Sequence, residues 1–174
     1  MAFLLAFGKL QKLVDVIDRY RNDSHPYAVE LNFQIVERLQ QLASSKYPRE
    51  TGGILVGHYS SDLRCAFVTD ISLAPSDSRS TPMTFYRGVK GLGKWLKHLW
   101  SEQGRYYLGE WHSHPDGLAH PSGSDIGQMK EIANSSLYRC PEPILLIAGG
   151  NPSIGWVLKV FVYPKDQKLI ELTK

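Results

Sequence analysis

Two histidines one residue apart, His112-Ser113-His114, precede Pro115. A serine and an aspartate follow in Pro121-Ser122-Gly123-Ser124-Asp125. Residues two apart on a strand point to the same side, and their Cα atoms lie roughly 6.5–7 Å apart. Two imidazoles placed this way can converge on one zinc ion with Zn–N bonds near 2.0–2.1 Å. Pro115 stops the strand, which leaves the pair at its end with room for a ligand. Ser122 after Pro121 reads as a helix N-cap, with Asp125 at the third helical position. If the loop over 116–121 folds this helix start across the strand end, His112, His114 and Asp125 form one ligand set. Three protein ligands and a water make the open, catalytic form of a zinc site, where the metal activates water and polarises a carbonyl.

Each residue also has a plainer reading. Ser122 with an acid three residues on is an ordinary helix start, and a lone strand histidine is usually packing or surface. The joint pattern, His-x-His and then Ser-x-x-Asp at fixed spacing, arises by chance on the order of once per thousand chains of this composition. Hydrolysis also needs a proton carrier. Glu50 and Glu110 are both candidates: Glu110 shares strand parity with the two histidines, where it could face the metal or orient a ligand. Glu50 precedes a glycine-rich apolar segment where backbones approach closely. Spacing leaves the choice open. Ser122 could donate to the oxyanion of a tetrahedral intermediate or serve as a cap alone. Asp116 and His120 sit in the loop beside the site as rim residues. His25, His58 and His98 have no partner pattern.

The elements that must position these groups follow from periodicity. Leu4, Leu5, Leu10, Leu13, Val14 and Ile17 recur at helical spacing, which predicts an N-terminal amphipathic helix over residues 3–20. The chain then divides into this N-terminal segment, 1–25, and a catalytic domain, 26–174. A short strand is expected over 27–31 and a helix over 34–44. Buried strands follow near 52–57 and 63–73, joined by a turn at Ser60-Ser61-Asp62. After a polar loop, the spacing predicts a helix over 89–102 with Leu92, Trp95, Leu96, Leu99 and Trp100 facing inward. A strand over 105–114, a helix over 122–134 and strands over 143–148, 154–163 and 167–172 complete an alternating α/β domain.

Bulk composition narrows the classes. The chain has 174 residues, enough for one core, with 43% hydrophobic and 21% charged residues and a formal net charge of +3. No Lys/Arg run stands out, so nucleic acid is not an expected partner. No apolar run reaches membrane-span length and no signal peptide is recognisable, which points to a soluble cytoplasmic protein. Cys65 and Cys140 are too few for a disulfide framework and read as buried thiols.

Glu50, then His112-Ser-His114-Pro, seven residues, and Ser122-x-x-Asp125 resembles the signature of the JAMM/MPN+ metalloproteases, and the likeness extends from about residue 27 to 163. The resemblance implies a single-domain JAB/MPN fold, α/β, with a mixed β-sheet flanked by helices and similar to cytidine deaminases. The Pro-Cys-x-x-Cys zinc motif of the deaminases themselves is absent. By the same resemblance His112, His114 and Asp125 bind one zinc ion with a catalytic water. Glu50 is the general acid/base, in preference to Glu110, and Ser122 stabilises the oxyanion. The family cuts peptide or isopeptide bonds after the C-terminus of ubiquitin-like proteins. Tyr107-Leu-Gly-Glu-Trp-His-Ser-His-Pro, with Phe85-Tyr-Arg-Gly and Leu99-Trp100, resembles the deconjugases found beside CD-NTases in bacterial CBASS anti-phage defence. The implied substrate is a ubiquitin-like protein or a CD-NTase conjugated through its C-terminus by an E1/E2-like partner. A peptidase processing a sulfur-carrier protein, or a deubiquitinase-like member of a bacterial ubiquitin-like operon, is the alternative. The substrate tail is expected to lie extended against a strand edge, with the loop over 75–86 covering it.

Overall fold

The computed structural model describes residues 17–174. Eight strands form one mixed sheet: β1 (Ile17–Asn22), β2 (His25–Asn32), β3 (Gly52–Tyr59), β4 (Cys65–Ile71), β7 (Tyr106–Pro115), β8 (Ile144–Asn151), β9 (Gly155–Val162) and β10 (Ile170–Leu172). Their spatial order is β1-β2-β4-β3-β7-β8-β9-β10. Strands β2/β4 and β7/β8 are parallel, and the other pairs are antiparallel. A separate two-stranded hairpin pairs β5 (Arg79–Ser80) with β6 (Phe85–Tyr86). The α/β class and the mixed sheet agree with the sequence expectation.

Three helices cover the two faces of the sheet. Helix α1 (Phe33–Lys46) starts at Asn32, whose side chain accepts the Ile35 N–H, and it buries Ile35, Leu39 and Ala43 at four-residue spacing. Ile35 and Leu39 pack with Leu31, Leu55, Val68, Trp111, Leu146 and Val160 on one face. The opposite face carries α2 (Leu92–Gln103) and α3 (Gly123–Asn134). Met129, Ile132 and Ala133 of α3 meet Leu145, Ile147 and Phe161 there, and Leu99 of α2 meets Ile54 and Val56. Strand alternation explains the division: Leu146 faces α1, while its neighbours Leu145 and Ile147 face α3. On β7 the same rule sends Trp111 toward α1 and puts Glu110, His112 and His114 on the α2/α3 side.

Four details depart from the sequence reading. Residues 17–20, expected as the end of a helix, lie in β1, paired antiparallel with β2; the rest of that expected helix lies outside the described residues. Only Tyr20 of β1 is buried, so this edge strand lacks the alternating apolar pattern that would mark it. Trp100, expected to face inward, is 61% exposed and leans toward Tyr106 at 6.0 Å between ring centroids. The polar loop after β4 contains the β5–β6 hairpin. The last strand is shorter than expected, and it closes the far corner: Arg21 and Thr173 exchange backbone hydrogen bonds at 2.8 Å, which joins the two ends of the sheet. Cys65 and Cys140 are buried free thiols, as read. Among the described residues no helix is long and apolar enough to cross a membrane.

Candidate metal centre

The site forms where β7 ends and α3 begins. Strand β7 runs through His112 and His114 to Pro115, and Asp116 then reverses the chain with φ of 58°. Asp116 is held in that turn by Tyr47 Oη, which donates at 3.0 Å, and by Asn151 Nδ2 at 2.8 Å. The following loop lies directly on β8, because a Cβ at Gly149 would come within 2.3 Å of Ala119 N. Only glycine permits that approach, and it lets the loop deliver Ser122 and Asp125 over the strand end. Ser122 caps α3 in a complete capping box: its Oγ accepts the Asp125 N–H at 3.2 Å, and Asp125 Oδ2 accepts the Ser122 N–H at 2.7 Å.

His112, His114 and Asp125 therefore converge. Their ligand atoms all lie within 4.8 Å of one another. The two Nε2 atoms are 2.9 Å apart; His112 Nε2 is 3.4 Å from Asp125 Oδ1, and His114 Nε2 is 3.7 Å from Oδ2. A tetrahedral ion with bonds near 2.0–2.1 Å separates its ligands by about 3.3–3.4 Å, and the three observed distances bracket that edge. The tautomer also suits a metal. His114 Nδ1 lies 3.2 Å from the Leu118 carbonyl oxygen, which can only accept, so the ring proton sits on Nδ1 and Nε2 keeps its lone pair. Burial and the neighbouring His112 lower the His114 pKa against the opposing pull of Leu118 and Asp125, which favours the neutral ring. Burial tends to raise the Asp125 pKa, but hydrogen bonds from His112 and Ser122 outweigh it and hold the carboxyl well below the usual range. Two imidazoles and one carboxylate are the donor set of an open zinc site.

Glu50 lies just before β3 in an antiparallel register that pairs Gly52 with His112. Two residues upstream of Gly52, it falls on the same face as the histidines. Gly52 is required here, since a Cβ would sit 2.8 Å from His112 Cβ and 2.3 Å from the Trp111 carbonyl oxygen. Glu50 is 8% exposed. Burial raises its pKa to about 7; His112 opposes that shift and Asp125 adds to it. Glu50 shares with His114, Ser122 and Asp125 a cleft of about 470 Å³, walled by Pro82, Met83 and Tyr86 on one side and Leu118 on the other.

The remaining candidates are placed differently. Glu110 shares the histidines' face but turns to Arg87, which donates from both Nε and Nη2. Tyr107 Oη donates to the same carboxylate at 2.8 Å. Both its oxygens are thus engaged by buried donors, and it neither faces the cleft nor hydrogen-bonds a histidine. The Ser122 hydroxyl is 2.7 Å from Asp125 Oδ2 and 2.8 Å from Ser124 Oγ. His120 is exposed on the rim. His25 and His58 stack on Tyr27 and Phe67, away from the site. Two supports carried no signal in the sequence: the Leu118 carbonyl, because any residue type supplies one, and Arg87, whose distance from Glu110 along the chain follows no period.

A mixed sheet that brings His-x-His from a strand end against an aspartate from a helix start defines a JAB-type domain. The chain belongs to the prokaryotic homologs of the JAB domain, whose family model matches residues 34–159. It is 38% identical over 169 residues to the CD-NTase/cGAS isopeptidase of Enterobacter hormaechei subsp. hoffmannii (strain UCI 50), covering 97% of this chain and 93% of that one. It is 27% identical over 130 residues to a Sinorhizobium fredii (strain NBRC 101917 / NGR234) protein named "Probable metalloprotease y4qB", covering 73% and 79%. Among solved structures, protein DSY2949 from Desulfitobacterium hafniense superposes with a TM-score of 0.59 at 23% identity, over 80% of this chain and 86% of that one. A Salinibacter ruber (strain DSM 13855) protein gives 0.54 at 19% identity, over 80% and 85%. These two likenesses concern the fold. Both sequence relatives are hydrolases by name, and the chain is a hydrolase of the same family.

Proposed function

We propose that this protein is a zinc-dependent isopeptidase that releases a CD-NTase from a conjugate made through its C-terminal carboxyl, in the bacterial cytoplasm and in the setting of anti-phage defence. The convergence of His112, His114 and Asp125, of which His114 and Asp125 line one open cleft with Glu50, carries this reading. The choice of substrate rests on the 38% identity to the CD-NTase/cGAS isopeptidase over nearly the whole chain. An E1/E2-like partner that makes the conjugate belongs to the same proposal.

His112, His114 and Asp125 hold the metal in this mechanism. A bound zinc ion supplies Lewis acidity to the scissile carbonyl and acidifies the attacking water. Glu50, with a pKa of about 7 set by burial, is matched to both halves of the proton transfer. It accepts a proton from the water and returns it to the departing lysine amine, so that the amide C–N bond breaks and the carboxyl of the tail is released. Ser122 lines the same cleft. A turn of its hydroxyl away from Asp125 lets it donate to the carbonyl oxygen as negative charge develops there. The apolar walls of Met83, Tyr86 and Leu118 suit an extended, uncharged tail.

The test is hydrolysis of a CD-NTase C-terminal peptide joined to the Nε of a lysine. Zinc-loaded protein is expected to release free peptide and lysine, and His114→Ala is expected to release neither. An intact isopeptide after prolonged incubation would end the reading. Release of a single C-terminal amino acid from a sulfur-carrier protein would replace it with the alternative.

A further inference from the structure

The β5–β6 hairpin does more than wall the cleft. It grips Glu50 by the backbone on both sides: the Glu50 N–H donates to the Thr81 carbonyl at 2.9 Å, and Ser80 Oγ donates to the Glu50 carbonyl. Arg49 Nη1 also donates to the Ser80 carbonyl at 2.6 Å. Phe85 packs where a side chain at Gly52 would stand, 2.7 Å from that position. The hairpin has only two residue pairs of its own, too few to be stable alone, so its position depends on what holds its base.

Two clamps hold that base. In the first, Asp77 accepts the Val89 and Lys90 N–H groups at 3.0 and 3.1 Å, and Ser78 Oγ accepts the Gly88 N–H at 2.9 Å. These bonds close the loop on itself. The second fixes the loop to the sheet: Arg87 forks onto Glu110 of β7, with side-chain exposures of 7% and 5%. Arg87 also donates to the Gly88 carbonyl at 2.8 Å and to Tyr138 Oη at 3.2 Å. Glu110 lies two residues before His112 on the same face of β7. One rigid strand thus holds two of the three proposed ligands, His112 and His114, and, through Arg87 and the hairpin, the backbone of Glu50.

We propose that Arg87 and Glu110 are positioning residues whose buried ion pair sets the place of Glu50 relative to the His112–His114–Asp125 centre by way of the β5–β6 hairpin. The inference deepens the hydrolase reading and rests on Glu50 being the proton carrier. The pair touches neither the ligands nor the cleft, so its loss moves the base while leaving the metal held. Misplacement of about 1 Å costs on the order of 100-fold in rate, whereas uncoupling the hairpin leaves the donor set unchanged.

The experiment uses the full chain with Arg87→Met and Glu110→Gln combined, which removes both charges together and leaves neither buried alone. Arg87→Lys, which keeps the charge but not the fork, is a milder second variant. Hydrogen exchange of segments 49–52 and 79–88 is measured without zinc. Zinc affinity is measured by competition with a chromophoric chelator, and kcat with the lysine isopeptide. Expected results for the double variant are exchange at least about tenfold faster in both segments, zinc affinity within about threefold of the parent, and kcat lower by about 10- to 100-fold. Arg87→Lys should fall between parent and double variant on exchange and kcat. Ser80→Ala, which removes one of the two hydrogen bonds from the hairpin to the Glu50 backbone, should add little to the double variant's kcat loss. Unchanged exchange at 49–52 would overturn the proposal, and so would zinc affinity falling in step with kcat. Failure of the parent to cut the isopeptide would count against the proposed substrate, whereas the exchange result judges the hairpin coupling by itself.

Discussion

Glu50 is where function and stability oppose each other at the scale of one residue. Its pKa in the metal-free fold is raised from 4.5 to about 7, chiefly by burial, so the fold favours the protonated acid. The carboxyl is therefore harmless below about pH 4.5, and stability is lost as pH rises through about 7. A shift of this size corresponds to a penalty of up to about 3 kcal/mol above pH 7. Glu50→Gln cannot ionise, so metal-free Glu50→Gln should melt above the metal-free parent at pH 8, and the gap should close by pH 4. Calorimetric scans at the two pH values check this. The same variant should keep its zinc affinity and lose about 10²- to 10⁴-fold in kcat, the range for removing a general base. Glu110 makes the contrast. It is an acid of the same face and strand parity as the histidines, yet Arg87 and Tyr107 donate three hydrogen bonds to its oxygens, which turns the carboxylate away from the cleft and holds it there. Residue type was legible in the sequence for both acids, and strand parity for Glu110. The partner was not, because it comes from a loop with no periodic pattern.

At the scale of elements, the start of α3 has two roles. The capping box that begins the helix also aims Asp125, since Ser122 donates to Oδ2 through both its N–H and its hydroxyl and leaves Oδ1 toward His112. Ser122→Ala therefore has separable consequences. Loss of the cap should cost about 1 kcal/mol of stability. Loss of the hydroxyl on the aspartate should weaken zinc binding by about 10- to 100-fold, as other outer partners of metal ligands do. Denaturant titration measures the first and chelator competition the second; a stability loss with unaltered affinity would show that the backbone N–H alone aims Asp125. Helix α3 was legible because proline, serine and an acid at the third position mark a helix start in local sequence. The β5–β6 hairpin was not, because two residue pairs give no alternation to read, and neither was β1, whose one buried side chain, Tyr20, leaves no pattern.

At the scale of the whole molecule, the sheet stands independently of the metal. The cores on its two faces are built from α1 on one side and α2 and α3 on the other, and its ends are joined through Arg21 and Thr173. The proposed ligands are held in place by protein hydrogen bonds, from His114 Nδ1 to the Leu118 carbonyl and from the Ser122 N–H to Asp125. Chelation should therefore abolish hydrolysis while leaving the far-ultraviolet circular dichroism unchanged. Stability should fall only by the linkage term, about 2.7 kcal/mol when zinc stands at 100 times its Kd, and the melting temperature with it. Collapse of the spectrum on chelation would show instead that the metal is structural.

The sequence alone singled out the His112, His114 and Asp125 group that the fold brings together, because both spacings are local: His-x-His uses the two-residue period of a strand, and Ser-x-x-Asp uses the first turn of a helix. It determined the α/β class and the buried faces for the same reason, since side-chain direction repeats within each element. Spacing left the two glutamates open and the family resemblance favoured Glu50; only the tertiary structure lined the cleft with it, showed which arginine satisfies the other, and showed that a short hairpin grips the first. Those relations cross between segments far apart in the chain. They depend on the register of β3 on β7 and on where a loop closes, and pairwise distances between remote segments leave no period in the sequence.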